Sequence, residues 1–210
     1  IHVLNYRIKI KFGISSACKK KKKLNSSSAY FNYPESKSNL IPNNKWNSGI
    51  RLFDYHSIKN NFDPPNWFLN YKNKKLHPAF NLQWWKINDF DENIGDIKLI
   101  WELSRMDWLI PFSQMGVLGD LRHIDKLNSW LKDWVENNQP YIGPNWKCGQ
   151  EASIRVINLA LTCYILDQKN TSTLQLCRLI ELHLERIKPT IKYALAQNNN
   201  HGTSEAAALF

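Results

Sequence analysis

The stretch Asp120-Leu121-Arg122-His123-Ile124-Asp125-Lys126-Leu127-Asn128-Ser129-Trp130-Leu131-Lys132-Asp133-Trp134-Val135-Glu136-Asn137 decides the fold class. Leu121, Ile124, Leu127, Trp130, Leu131 and Trp134 recur three and four apart, which places them on one helical face with the charged residues opposite. Asn138-Gln139-Pro140 and Gly143-Pro144 end the pattern. Upstream, Ile97, Ile100, Trp101, Leu103, Trp108, Leu109 and Phe112 repeat at the same spacing from Asp96, and Gly116 with Gly119-Asp120 closes that segment. Downstream, a third helix is predicted from near Trp146 to before Asp167, apolar on most sides and therefore buried. A fourth is predicted over about Ser172 to Ala196, kinked or split at Pro189, and a fifth after His201. Successive helices joined by short loops give an all-α bundle or α/α array.

Residues 1 to 95 read differently. Prolines, asparagines and short aromatic clusters dominate, without a sustained helical period, so this part is expected to be an irregular, basic N-terminal segment ahead of a helical unit over 96 to 210. Alternation in Tyr6-Arg7-Ile8-Lys9-Ile10-Lys11-Phe12 predicts a strand, and Trp46 to Tyr55 another. The first 95 residues hold 16 Lys and Arg against 6 Asp and Glu; the remaining 115 hold 12 against 12. A polyanion partner for the N-terminal half follows from that excess, be it nucleic acid, anionic lipid or acidic polysaccharide. Lys19 to Lys23, followed by Ser26 to Ser28, reads as a solvated loop or a nucleic-acid patch, but no helix-turn-helix or RNA-binding aromatic motif accompanies it.

No run of about 18 apolar residues is present to span a bilayer. Cys18, Cys148, Cys163 and Cys177 have neither the density of a disulfide scaffold nor the spacing of a zinc or redox site. No metal constellation and no cofactor motif is expected. The start, Ile1-His2-Val3-Leu4, shows no export signal, and the apolar finish, Ala206 to Phe210, has no cap, so both ends read as cut from a longer protein.

Three clusters carry candidate chemistry. Asn198-Asn199-Asn200-His201-Gly202-Thr203-Ser204-Glu205 places amides beside an imidazole at a helix entrance, with Thr203 or Ser204 as N-cap and Gly202 free to aim His201 outward. Trp101-Glu102-x-x-Arg105 puts an acid and a guanidinium on one helix face beside a large ring, which is also the spacing of an ordinary ion pair. Gly143-Pro144-Asn145-Trp146-Lys147-Cys148-Gly149-Gln150-Glu151, followed by Arg155, repeats that arrangement with a Glu151–Arg155 pair. The clusters sit at corresponding ends of consecutive helices, as residues lining a shared groove would.

Together these clusters, with Gly95-Asp96-Ile97-Lys98, Gly119-Asp120, Trp130 and Trp134, resemble the heparinase II/III family of polysaccharide lyases in order and in gaps. The resemblance runs from about Phe62-Asp63-Pro64 to the last residue, and Asn198 stands where Asp is expected. It implies an incomplete (α/α) toroid, with an antiparallel β-sandwich that this chain lacks, and β-elimination of a uronate polysaccharide such as heparan sulfate or alginate. Removal of the uronate C5 proton requires that the adjacent carboxylate be neutralised as charge accumulates. The resemblance gives that task to Asn200 and His201, with Glu205 orienting His201 and Asn199 a neighbour. Arg105 and Arg155 would hold carboxylates or sulfates, Trp101 and Trp146 would stack on sugars, and Glu102, Asn145, Gln150 and Glu151 would complete the groove.

The family's catalytic Tyr lies downstream of the Asn-His motif, and Tyr193 is not its equivalent, so the 210-residue chain is expected to be inactive alone. The resemblance implies an acidic polysaccharide as partner, no nucleic acid, and a periplasmic or secreted location. The alternative is a non-catalytic glycan-binding protein, or an accessory of capsule or O-antigen biosynthesis, that keeps the groove without the elimination chemistry.

Overall fold

A computed structural model describes residues 2–19, 21, 23–24, 28–35, 49–58 and 63–210. The described chain is mostly helical, with three small antiparallel strand pairs. Eight α-helices are described: α1 (His2–Lys11), α2 (Lys98–Ser104), α3 (Leu109–Val117), α4 (Arg122–Asn137), α5 (Gly149–Ile165), α6 (Leu174–Ile187), α7 (Ile191–Ala196) and α8 (Asn200–Leu209). The strand pairs are β1 (Ile50–Leu52) with β2 (His56–Ile58), β3 (Leu69–Asn70) with β4 (Lys75–Leu76), and β5 (Phe90–Asp91) with β6 (Gly95–Asp96). No described helix is long and apolar enough to cross a membrane.

The quoted stretch forms α4 and buries Ile124, Leu127, Trp130, Leu131, Trp134 and Val135, while Leu121 stays exposed ahead of it. Asn138 ends the helix by donating both its backbone N–H (2.8 Å) and its side-chain amide (2.9 Å) to the Trp134 carbonyl. The helix predicted from Asp96 is in fact two. Met106, at φ 63°, breaks it after α2, so that Met106 and Trp108 both reach the core. The Asn158 amide holds the Arg105 carbonyl at 2.8 Å across this break, and the Trp108 indole donates to the Leu103 carbonyl. Pro189 splits the fourth segment into α6 and α7, as expected. Thr173 caps α6 by accepting from the Leu176 N–H.

Two expectations about local structure do not hold. Residues 2–11 are helical, because the segment packs on α7 and on the turn Trp84–Lys86 and has no strand partner. Helical spacing brings Tyr6 and Ile10 to one face, and Tyr6 stacks on Tyr193 with centroids 3.9 Å apart. The second concerns α8. Its cap is Asn199, whose side chain accepts from the His201 N–H (3.0 Å), so Thr203 and Ser204 lie within the helix. The expected strand over Trp46 to Tyr55 is described only from residue 49, where β1 turns into β2, and positions 46–48 lie outside the described residues. Within the run Lys19 to Lys23, positions 20 and 22 also lie outside; Lys21 forms an ion pair with Glu185 of α6 (2.7 Å).

α5 packs against α3, α6 and α8, and α3 against α4. The irregular first part of the chain joins the same core: Ala17, Cys18, Tyr30, Phe31, Leu52, Trp67 and Trp84 pack with Trp108, Phe112, Trp130, Trp134 and Trp146. Trp67, Trp108, Phe112 and Trp130 meet at centroid distances of 5.2 to 6.3 Å, within the range of favourable aromatic contact. A strap at 30–32 is pinned by Asn128, which accepts from the Tyr30 and Phe31 N–H groups and donates to the Phe31 carbonyl.

Candidate functional site

A cavity of about 750 Å³ opens where α1, α2, the start of α5, α7 and α8 meet. Seven of the twelve residues singled out in the sequence line it: Trp101, Arg105, Gln150, Glu151, Asn200, His201 and Glu205. They come from segments as much as 100 positions apart.

α2 supplies Trp101 and Arg105. The Trp101 indole donates to the Pro144 carbonyl (2.8 Å), which fixes the ring against the turn leading to α5. Arg105 is the centre of an acid pair. Its Nε and Nη2 meet both oxygens of Glu151 (2.8 and 2.9 Å), and its Nη1 meets Glu102 (2.6 Å). A planar fork gripping a carboxylate twice is the geometry at which guanidinium binding is strongest. Glu102 also accepts from the Phe53 N–H (2.6 Å), tying the β1–β2 hairpin to α2. Burial raises the Glu102 carboxyl above the usual range, with Arg105 opposing.

α8 supplies Asn200, His201 and Glu205. Asn198 turns the chain from α7 into α8 in the left-handed region (φ 50°), which asparagine tolerates better than most residues. Gly202 lies within the helix, where an added Cβ would come 3.3 Å from Leu195 Cδ2, so its role is the close approach of α7 and α8. His201 Nδ1 stands 3.7 Å from Glu205 Oε1. Burial lowers the His201 pKa and pushes Glu205 up to about 7, the latter opposed by Arg186. Glu205 rests against the first turn of α5, where a Cβ on Gly149 would fall 2.6 Å from its Oε1.

The remaining predicted residues lie elsewhere. Glu102 stands behind Arg105 and does not line the cavity. Asn199 is the cap of α8. Asn145, Trp146 and Arg155 are inside the core. Arg155 pairs with neither Glu151 nor solvent: its Nε donates to His183 Nε2 and its Nη2 to the Asn145 carbonyl (2.8 Å each), with the guanidinium over the Trp134 and Trp146 rings. Since His183 accepts there and its Nδ1 faces the Leu179 carbonyl (2.8 Å), the imidazole is neutral, and burial holds its pKa well below the ordinary value. Asn145 joins the core by donating to the Trp67 carbonyl and to Asn138.

Sequence reasoning missed Arg186. It lines the cavity from α6, donates to the Trp146 and Lys147 carbonyls (2.9 and 2.6 Å), and lies 3.6 Å over the Trp84 ring centroid. The segment Leu182 to Pro189 reads as an ordinary helix end, and only the tertiary fold buries this arginine. Among the described residues, no group of three or more His, Cys, Asp or Glu is placed to hold a metal ion.

No family model matches the chain, and neither a curated protein nor a solved structure matches it.

Proposed function

We propose that this chain forms part of an (α/α) toroid of a heparinase II/III-like polysaccharide lyase, with the cavity taking a uronate for β-elimination. The observation that carries the reading is convergence: Trp101 and Arg105, Gln150 and Glu151, and Asn200, His201 and Glu205 come from three separate segments to one cavity. In this reading Asn200 and His201 hold the uronate carboxylate while charge develops on it, and Glu205 orients the imidazole. Arg105 faces the sugar chain with its charge already balanced by Glu102 and Glu151, and Trp101 offers a ring edge.

The general base is a separate matter. Tyr6 and Tyr193 both line the cavity but are stacked on each other, and burial pushes the Tyr6 phenol up to about 12, which makes it a poor proton acceptor near neutrality. The resemblance places the base downstream of the Asn-His motif. The expected result is that the 210-residue chain releases no unsaturated product from any uronate polymer; release of such product refutes the assignment of the base. The tied-up tyrosines also favour a second reading, a glycan-binding accessory without elimination chemistry. His201→Ala in the complete reading frame separates the two: a lyase loses turnover while glycan binding changes little.

A further inference from the structure

The cavity carries four cationic side chains, Lys98, Arg105, Lys147 and Arg186, and four acidic ones, Asp89, Asp96, Glu151 and Glu205. Three of the cations are matched. Arg105 grips Glu151 and Glu102, Lys147 meets Asp89 at 3.2 Å, and Lys98 lies 3.7 Å from Asp96. A site built for several sulfates would leave more positive charge unbalanced.

Arg186 and Glu205 differ from the others. Each is almost fully buried, and Arg186 Nη1 and Glu205 Oε2 have no hydrogen-bond partner. Gln197 Oε1, on a third residue lining the same cavity, is buried and unpartnered as well, while its amide nitrogen donates to the Tyr193 hydroxyl (3.2 Å). Buried polar atoms without partners are rare in folded proteins because each forfeits its hydrogen bonds to water. Nine such atoms occur among the described residues, and Arg186 Nη1, Glu205 Oε2 and Gln197 Oε1 are the three whose residues line this cavity, where a ligand could restore the missing bonds.

We propose that Arg186, Glu205 and Gln197 form a subsite for one carboxylate and a neighbouring hydroxyl, and that the ligand is an unsulfated uronate. Arg186 Nη1 donates to the carboxylate and Gln197 Oε1 accepts from the hydroxyl. Glu205 contributes a second donor to the carboxylate in its protonated form, which burial favours up to a pH of about 7. The titratable groups that line the cavity with Glu205 are Arg186 from α6, His201 on its own helix, Glu151 and Cys148 at the start of α5, Tyr6 from α1 and Tyr193 from α7, with Asp89, Asp96, Lys98, Arg105 and Lys147 in the ion pairs described above. Of these, burial lowers the pKa of His201 and raises those of Tyr6 and Cys148, so the loss of affinity between pH 6 and 8 is assigned to Glu205. The identity of the sugar rests on the uronate reading above, whereas the subsite is read directly from binding.

The test is calorimetric titration of the 210-residue chain with an unsulfated oligouronate, its carboxyl-reduced counterpart and a sulfated heparin oligosaccharide, at physiological salt. The unsulfated uronate is expected to bind most tightly, and reduction of its carboxylates to weaken it by about ten-fold or more, the size of one charge-assisted hydrogen bond. Arg186→Lys, which keeps the charge but loses the fork, is expected to weaken it similarly, with circular dichroism reporting the fold. Should that variant not fold, Gln197→Ala and the pH profile carry the test: affinity falls as pH rises from 6 to 8 in the wild type, and this fall disappears in Glu205→Gln. Equal affinity for the reduced ligand, tighter binding of the sulfated one, a pH-independent wild type, or no binding of any probe overturns the subsite. Absence of elimination product from the complete reading frame, with Arg186-dependent binding intact, overturns the lyase reading and leaves the subsite standing.

Discussion

Arg105 is the residue on which the buried carboxylates Glu102 and Glu151 depend. It faces two carboxylates that are themselves nearly buried, and removing it leaves both without their counter-ion. Arg105→Met is therefore expected to destabilise the chain by about 3 kcal/mol in urea unfolding at pH 8. The sign of the pH dependence follows from the carboxylates. Burial already raises the Glu102 carboxyl and Arg105 opposes that rise, so without Arg105 the folded state holds an extra proton and the defect shrinks as pH falls toward 5. A defect that is constant with pH contradicts this account. Glu205 obeys the same logic in the wild type: its carboxyl rises from an ordinary 4.5 to about 7, so the chain loses stability relative to Glu205→Gln as pH increases from about 4.5 to about 7. The loss is expected to total about 3 kcal/mol and then level off. Comparing the two proteins cancels the opposing contribution of buried His183 and His77 and half-buried His123, whose lowered pKa values favour folding as pH rises.

At the residue scale the sequence was legible where chemistry and spacing coincided. Glu102 and Arg105, three apart on α2, do form the expected ion pair at 2.6 Å. Glu151 and Arg155, four apart on α5, do not, because burial sends Arg155 to His183 while Arg105 reaches Glu151 from another helix. Local spacing says which residues share a face; it carries no information about a competitor arriving from 46 positions away. Arg186 was invisible for a related reason, since its significance comes wholly from which carbonyls and ring surround it after folding.

At the scale of elements, hydrophobic period located α4, α5 and α6 well, because each buries one broad face. It failed at Met106, where the apolar repeat continues through a break that only the left-handed backbone reveals. It failed again over Tyr6 to Phe12, where alternating Lys and Ile imitate a strand in a segment whose partners are another helix and a turn. The α3–α4 contact offers a direct probe of element packing. A Cβ on Gly116 would come 2.2 Å from Ile124 Cδ1, so the helices approach only because that position has no side chain. Gly116→Ala is expected to destabilise by about 1 to 3 kcal/mol despite the better helix propensity of alanine. Combination with Ile124→Ala should cost clearly less than the sum of the single changes in a double-mutant cycle. Additive costs would show that the two positions are not in contact.

At the scale of the whole molecule, the boundary in composition near residue 95 is real in the sequence, yet the core crosses it: Tyr30, Phe31, Trp67 and Trp84 pack with the aromatic residues of α3 and α4. Among the described residues, seven buried tryptophans explain an aromatic content that sequence alone divided between core and sugar stacking; Trp146 belongs to the core and Trp101 to the cavity edge. Among the described residues no Lys or Arg of the first 95 lines the cavity, whose formal charges balance four against four.

The proposed β-elimination is put to the test by incubating the complete reading frame with a panel of uronate polysaccharides while following the ultraviolet absorbance of a new C4–C5 double bond conjugated to the carboxylate. The account predicts a rise on an unsulfated polymer, abolished by His201→Ala. No rise on any polymer of the panel contradicts it.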